Sequence, residues 1–219
     1  MPELVSLDPV PEAPLPPVHS WAHRWAQRAA TTITRAWFAP LLIGNLCAAK
    51  SRDRIVKDLE RWKAVTQLER PSLLGFLAGY PEFRTLYYYR LRRGGILSAM
   101  LAACFKLMYP GERTLHLTCS DIGGGLFIQH GFATVVAARK VGENCWINQQ
   151  VTIGFDRPGA RPVLGNNVSV HAGAKVLGAI VLGDGARVGA NAVVLCDVAA
   201  GHTAVGVPAR VLAPKPDRR

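Results

Sequence analysis

LGNNVS VHAGAK VLGAIV LGDGAR VGANAV VLCDVA, residues 164–199, divides into six units of six with nothing left over. Position one is aliphatic in every unit: Leu164, Val170, Val176, Leu182, Val188 and Val194. Position five is small or aliphatic: Val168, Ala174, Ile180, Ala186, Ala192 and Val198. The frame extends back through VGENCW and INQQVT to Ile153. Further back, IGGGLF at Ile122 and IQHGFA at Ile128 fit it, with an irregular stretch near 134–140. Such a period predicts one short strand and one turn per unit, with three units closing a triangular coil. Position one points inward, and position five must be compact to fit beside it. One coil cannot bury its own apolar face, so the core forms by stacking coils. Glycine and asparagine are expected to supply positive φ at the bends, with Gly142, Gly165, Gly183 and Gly189 directly after the aliphatic residue. Between Ile153 and Leu164 the frame is broken by GFDRPGARPV. This reads as a loop ejected from the coil, and loops on a rigid scaffold often carry function.

The N-terminal half has a different texture. Residues 20–48 carry apolar residues at helical spacing, broken by Pro40. DRIVKDLERWKAV, from Asp53, predicts an amphipathic helix with Ile55, Leu59 and Trp62 on one side. PEFRTLYYYRLRRGG opens with Pro81 at a helix start and closes with Gly94 and Gly95. ILSAMLAACFKLMY predicts another apolar helix. The expected organisation is a disordered proline-rich arm at 1–17, a helical domain at 18–115, a parallel β-helix at 116–212 and a tail at 213–219. The fold class is α+β.

Of the 219 residues, 49% are apolar, which excludes a disordered chain. The net charge of +11 is spread over both halves, with 16 basic against 9 acidic residues up to Leu115 and 10 against 6 after it. No basic run interleaved with aromatics reads as a nucleic-acid interface. The balance fits an acidic small molecule or a membrane surface, and the Trp- and Arg-rich segment 21–37 is where such a surface contact would fall. No apolar stretch is long enough for a transmembrane helix, and the start lacks the pattern of a secretory signal, so a cytoplasmic location is expected. Cys47, Cys104, Cys119, Cys145 and Cys196 show no zinc spacing and read as buried, reduced thiols.

SDIGGGLFIQHG, the loop after VTIG, VHAGAKVLGAIVLGDGARVGANAVV and the closing HTAVGVPARV resemble the serine acetyltransferase branch of the hexapeptide-repeat acyltransferases, from about Ile122 to Leu212. The helical half resembles that family's N-terminal domain more loosely. YPEFRTLYYYRL looks like a variant found in serine-acetyltransferase-like proteins associated with surface polysaccharides. The resemblance implies a left-handed coil, acetyl-CoA as acetyl donor, and no metal. It implies a histidine base that takes a proton from the acceptor hydroxyl, a step worth about 10²–10⁴ in rate. The matching residue is His130. The resemblance places CoA at Gly154, Ala172, Ala190 and GVPAR, with Arg187 and Lys175 near its phosphates. The acceptor falls to Gln129, Gln149, Arg157 and Arg161. It also implies a homotrimer, with the ejected loop of one subunit closing its neighbour's site, and pairing of trimers through the helical domain.

The chain departs from the family pattern at three places. Gln129 stands where the family has an aspartate for the serine ammonium. Leu115 stands where a second aspartate orients the base. The loop offers arginines but no histidine. The acceptor is therefore L-serine or similar, or else the hydroxyl of a sugar or polysaccharide precursor. A non-catalytic hexapeptide scaffold is the alternative of another class. A three-histidine zinc enzyme on the same coil would need an HxxxxH spacing that is absent here. His171 stands where the repeat usually has glycine and reads as a solvated turn. His202 reads as structural.

Overall fold

The computed structural model describes residues 36–68 and 72–214. The arm 1–17, all of segment 21–37 but its last two residues, and all of the tail 213–219 but its first two lie outside them. A helical region precedes a parallel β-helix of about five turns. The helices are α1 (Leu41–Cys47), α2 (Arg52–Thr66), α3 (Leu73–Gly79), α4 (Pro81–Gly94) and α5 (Ile96–Met108). The amphipathic pattern at Asp53 becomes α2, which buries Ile55, Asp58, Trp62 and Thr66 at three- and four-residue spacing. α4 starts on Pro81, where the missing N–H costs nothing. It stops at Gly95, whose φ of +139° leaves the helical region. α3 lacks a long apolar period and is missed from sequence. It is capped by Ser72 Oγ, which accepts the Gly75 N–H at 3.0 Å. No helix among the described residues is long and apolar enough to cross a membrane.

Each turn of the coil contributes one short strand to each of three parallel stacks. The first face stacks Leu115–Leu117, Thr134–Val136, Thr152–Gly154, Lys175–Leu177 and Val193–Val194. The second stacks Asp121–Ile122, Lys140–Val141, Val163–Leu164 and Val181–Leu182. The third stacks Phe127–Ile128, Trp146–Ile147, Ser169–Val170, Arg187–Val188 and Thr203–Val205, with Arg210–Leu212 added antiparallel. The stretch near 134–140 holds two of these strands, so the coil runs through it. Register partners lie 18 residues apart where the frame is regular, as in Lys175 with Val193. They lie 23 apart across the ejected loop, as in Thr152 with Lys175. The position-one residues Leu164, Val170, Val176, Leu182, Val188 and Val194 are buried in the lumen, and so are all the position-five residues.

Two expectations are corrected. Gly142, Gly165, Gly183 and Gly189 do not have positive φ. The left-handed residues come later in the turns, at Gly125, Asn144, Asn167 and Gly185 on one corner and at Gly131, Gln150, Gly173 and Asn191 on another. Glycine is needed after the aliphatic residue because the next coil passes too close. A Cβ on Gly123 would stand 2.6 Å from the Gly142 oxygen, and one on Gly142 would collide with the Gly165 carbonyl. The five cysteines are unpaired, but Cys104 and Cys196 are exposed. Cys145 is at position five and faces the lumen, whereas Cys196 is at position three, on the outward side of a turn.

A buried ion pair fastens the helices to the first coil. Asp58 of α2 accepts from Arg90 of α4 at 2.8 and 3.1 Å, and from the Gly125 and Leu126 N–H groups at 2.8 and 3.1 Å. Arg90 also donates to the Ile122 and Gly123 carbonyls at 2.5 and 2.6 Å. Trp62 Nε1 donates to the Leu126 carbonyl at 2.9 Å, and its ring packs on Phe127 at 4.7 Å between centroids. These contacts converge on residues 122–127, just before Gln129 and His130.

Candidate active site

The third face passes into the first through a corner, and the ladder stacks these corners in register. Ile128, Ile147, Val170, Val188 and Ala204 are successive inward partners. One residue on, Gln129, Asn148, His171 and Gly189 form a column on the outer surface. Two residues on, His130, Gln149, Ala172 and Ala190 form a second. Backbone bonds hold the columns: Gln129 N–H to Ile147 at 2.9 Å, and Asn148 N–H to Val170 and His171 N–H to Val188 at 3.0 Å each. At about 4.8 Å per rung, His130 to Ala190 spans roughly 14 Å.

His130 differs from the others in its column. Its φ is +65°, while Gln149, Ala172 and Ala190 keep negative φ. For a non-glycine residue this costs about 1–2 kcal/mol, and such strain collects at functional sites. The surroundings enforce it. Gly131 follows with φ +57°, and a Cβ there would stand 3.1 Å from Glu82 Cβ, 3.2 Å from Ile128 and 3.4 Å from Leu115. The Phe132 N–H closes on the His130 carbonyl at 2.7 Å. Ala133 N–H donates to Thr114 Oγ1 at 2.8 Å, and Thr114 Oγ1 donates to Glu112 at 2.7 Å. The imidazole is exposed on this rigid turn, as a group that must meet a substrate proton should be. Leu115 is buried behind the turn, so the family's second aspartate has an apolar replacement here.

Glu82 was not picked out from sequence, and nothing in YPEFR marks it. Yet it is buried under this turn. Burial pushes its carboxyl up to about 7, opposed by its own backbone N–H and Arg84 and assisted by Glu112. The folded chain therefore holds a proton that the unfolded chain releases between pH 4.5 and about 7, so stability falls as pH rises through that window. Glu82→Gln is expected to be more stable than the parent at pH 8, by up to roughly 3 kcal/mol, and equal to it at pH 4. Urea denaturation at the two pH values checks this, and equal midpoints at pH 8 would contradict it.

The other expected site residues divide between two corners. Ala172, Ala190, Arg187 and Lys175 stand along the His130 edge, where Lys175 Nζ donates to the Gln150 carbonyl at 2.6 Å. His171 is on this edge too, and desolvation, together with the nearby Arg187 charge, holds its imidazole below the usual range. Gly154 ends its strand at the far side of the first face, where an added Cβ would meet nothing closer than 3.9 Å. Arg157 and Arg161 are exposed on the ejected loop beyond Gly154. Within one chain they and His130 therefore occupy different corners of the triangle. Gln129 Oε1 accepts from Asn148 Nδ2 at 3.2 Å, and Gln149 Oε1 is buried with no hydrogen-bond partner among the described residues. Asn148 was missed from sequence. Its signal is position two of INQQVT, which faces outward on the same side as Gln129.

The bacterial transferase hexapeptide (six repeats) family model matches residues 161–196. Serine acetyltransferase of Helicobacter pylori is 38% identical over 148 residues, which is 61% of this chain and 82% of that protein. The chain belongs to the serine acetyltransferase family. Among solved structures of the family, Neisseria gonorrhoeae serine acetyltransferase in complex with serine superposes with a TM-score of 0.59 at 26% identity, over 88% of this chain and 81% of that one. Soybean serine acetyltransferase complexed with serine gives 0.57 at 27%, over 74% and 69%. Serine acetyltransferase membership makes this chain an acyltransferase, and its helical region followed by a β-helix is the arrangement of those structures.

Proposed function

We propose that this chain transfers the acetyl group of acetyl-CoA to the hydroxyl of L-serine, with His130 as general base. The observation that carries the reading is the exposed imidazole of His130 on a turn whose backbone is left-handed at His130, Gly131 and Ala133. As the serine oxygen attacks the thioester carbonyl, the imidazole takes its proton. When the tetrahedral intermediate collapses, the C–S bond breaks and that proton passes to the CoA thiolate. A donor for the intermediate's oxyanion comes from the same corner. The elongated donor runs along the edge past Ala172 and Ala190, Arg187 and Lys175 face its phosphates, and Gly154, which lies on another corner, would reach it only from a neighbouring subunit. In a trimer, the ejected loop would bring Arg157 and Arg161 to a neighbouring subunit's corner, where the serine carboxylate needs a cation. The setting is cytoplasmic, where acetyl-CoA is present.

The test follows free CoA with L-serine, homoserine, sugars and nucleotide sugars as acceptors. CoA release that depends on L-serine is the expected result. Release with sugars alone would replace serine by a sugar hydroxyl, which the neutral Gln129 would also accommodate.

A further inference from the structure

A surface helix normally turns its apolar side inward and a polar side to water. α5 does not. It packs on α4 and α1 through Ser98, Ala102 and Phe105, which are buried. The opposite stripe, Ile96, Met100 and Leu107, is apolar too, at 84, 62 and 88% exposure. Lys106 is the helix's one charge, and Ser98 turns its hydroxyl inward to the Leu91 carbonyl at 2.8 Å. Beside α5, α1 leaves Leu42, Ile43 and Leu46 exposed. Of the eighteen large apolar side chains exposed among the described residues, nine belong to α1, α5 and the adjoining Trp37. The exposure is therefore concentrated, as at an interaction surface, and not scattered.

The charges of these helices have one sign. Residues 83–111 hold five basic side chains and no acidic one, and so do residues 13–52. Ten of the 26 basic residues and none of the 15 acidic ones therefore fall in the two stretches. Arg84 and Arg90 are buried, whereas Lys50, Arg52, Arg92, Arg93 and Lys106 are exposed. The stretches meet where Tyr109, just past α5, donates its hydroxyl to the Trp37 carbonyl at 2.8 Å. A second copy of this face would set cation against cation. An anionic bilayer offers what the face lacks, an apolar boundary for the stripe and negative head groups for the rim. With 13 residues, α5 is about 20 Å long, too short to cross a hydrocarbon core of about 30 Å, so it would lie along the surface.

We propose that α1 and α5 dock this chain on an anionic lipid bilayer. Ile96, Met100 and Leu107 enter the boundary of the acyl region, and Lys50, Arg92 and Lys106 meet the head groups. All of these residues lie on or beside the helices and none on the coil, so the docking is independent of His130 and of the acceptor's identity.

The experiment sediments the full chain with vesicles of phosphatidylcholine alone and of phosphatidylcholine mixed with phosphatidylglycerol, at low and high salt. The expected result is partitioning about tenfold or more stronger onto the mixed vesicles, weakened by salt. Met100→Glu combined with Leu107→Glu is expected to lower that partitioning about tenfold or more, with the helical circular dichroism of the parent. If the pair does not fold, Lys106→Glu, a single change of an exposed side chain, decides alone, with an expected loss of about fivefold. A parent that does not prefer the anionic vesicles overturns the proposal, and is the outcome if residues 1–35 or a second copy cover the face. Variants that bind as the parent does overturn it too, because the binding then lies elsewhere in the chain. A smaller oligomer in Met100→Glu, Leu107→Glu with vesicle binding unchanged makes the face a contact between copies, and likewise overturns it.

Discussion

Replacing His130 by alanine is expected to lower acetyl transfer to any acceptor by a factor of about 10²–10⁴, the usual weight of a positioned general base. KM for acetyl-CoA should stay within twofold, because the proposed CoA contacts lie further along the edge. The variant must be read with its backbone in mind. His130 sits at φ +65°, where alanine is strained as histidine is. His130→Asn is therefore the better partner variant, since asparagine tolerates the left-handed region and has no group able to take the proton near neutrality. If alanine and asparagine both lose activity while the melting temperature holds, the loss belongs to the imidazole. Free CoA release by either variant at the parental rate would leave the chain's chemistry without its base.

Asp58→Ala is expected to cost about 3–5 kcal/mol of stability, because it leaves the guanidinium of Arg90 buried with no counter-ion. Both partners are almost fully buried, at 2% and 1% exposure. Asp58 also receives the Gly125 and Leu126 N–H groups, so the same change frees the backbone that leads into Gln129 and His130. Activity should fall with stability, and the urea midpoint is the measure. The double variant Asp58→Leu, Arg90→Met should recover most of the loss, because a well-packed apolar pair avoids the desolvation that the ions suffer. A loss below about 1 kcal/mol in Asp58→Ala would show that water reaches Arg90 and that the helices are fastened mainly by Trp62 and its aromatic neighbours.

Both results depend on the same few residues, where the helices press on the first coil. The helical region therefore does more than cover an end of the β-helix. Through Asp58, Trp62 and Glu82 it shapes the first turn, and the first turn carries the candidate base.

The coil was legible in the chain because its rule is local. One inward aliphatic every six residues and one compact residue four places later are forced by the narrow lumen, and no distant contact can substitute for them. His130 was singled out as the candidate base by the family resemblance of IQHG, not by the period, which gives it only a turn position. The ejected loop was visible as a break in the frame. The role of the glycines was not legible, because Gly142 answers to the backbone of Gly165 in the next coil, a contact 23 residues away in sequence. Nor could the period pair Gln129 with Asn148, place the buried carboxyl of Glu82 under the base, or unite Asp58 with Arg90 across the domain boundary. Those arrangements join residues that the sequence separates by between 19 and about 50 positions. By itself the sequence determined the β-helix and its six-residue frame, and offered His130 as the candidate base. Only the tertiary structure decided what surrounds His130, because burial and close backbone approach arise where separate turns and helices meet.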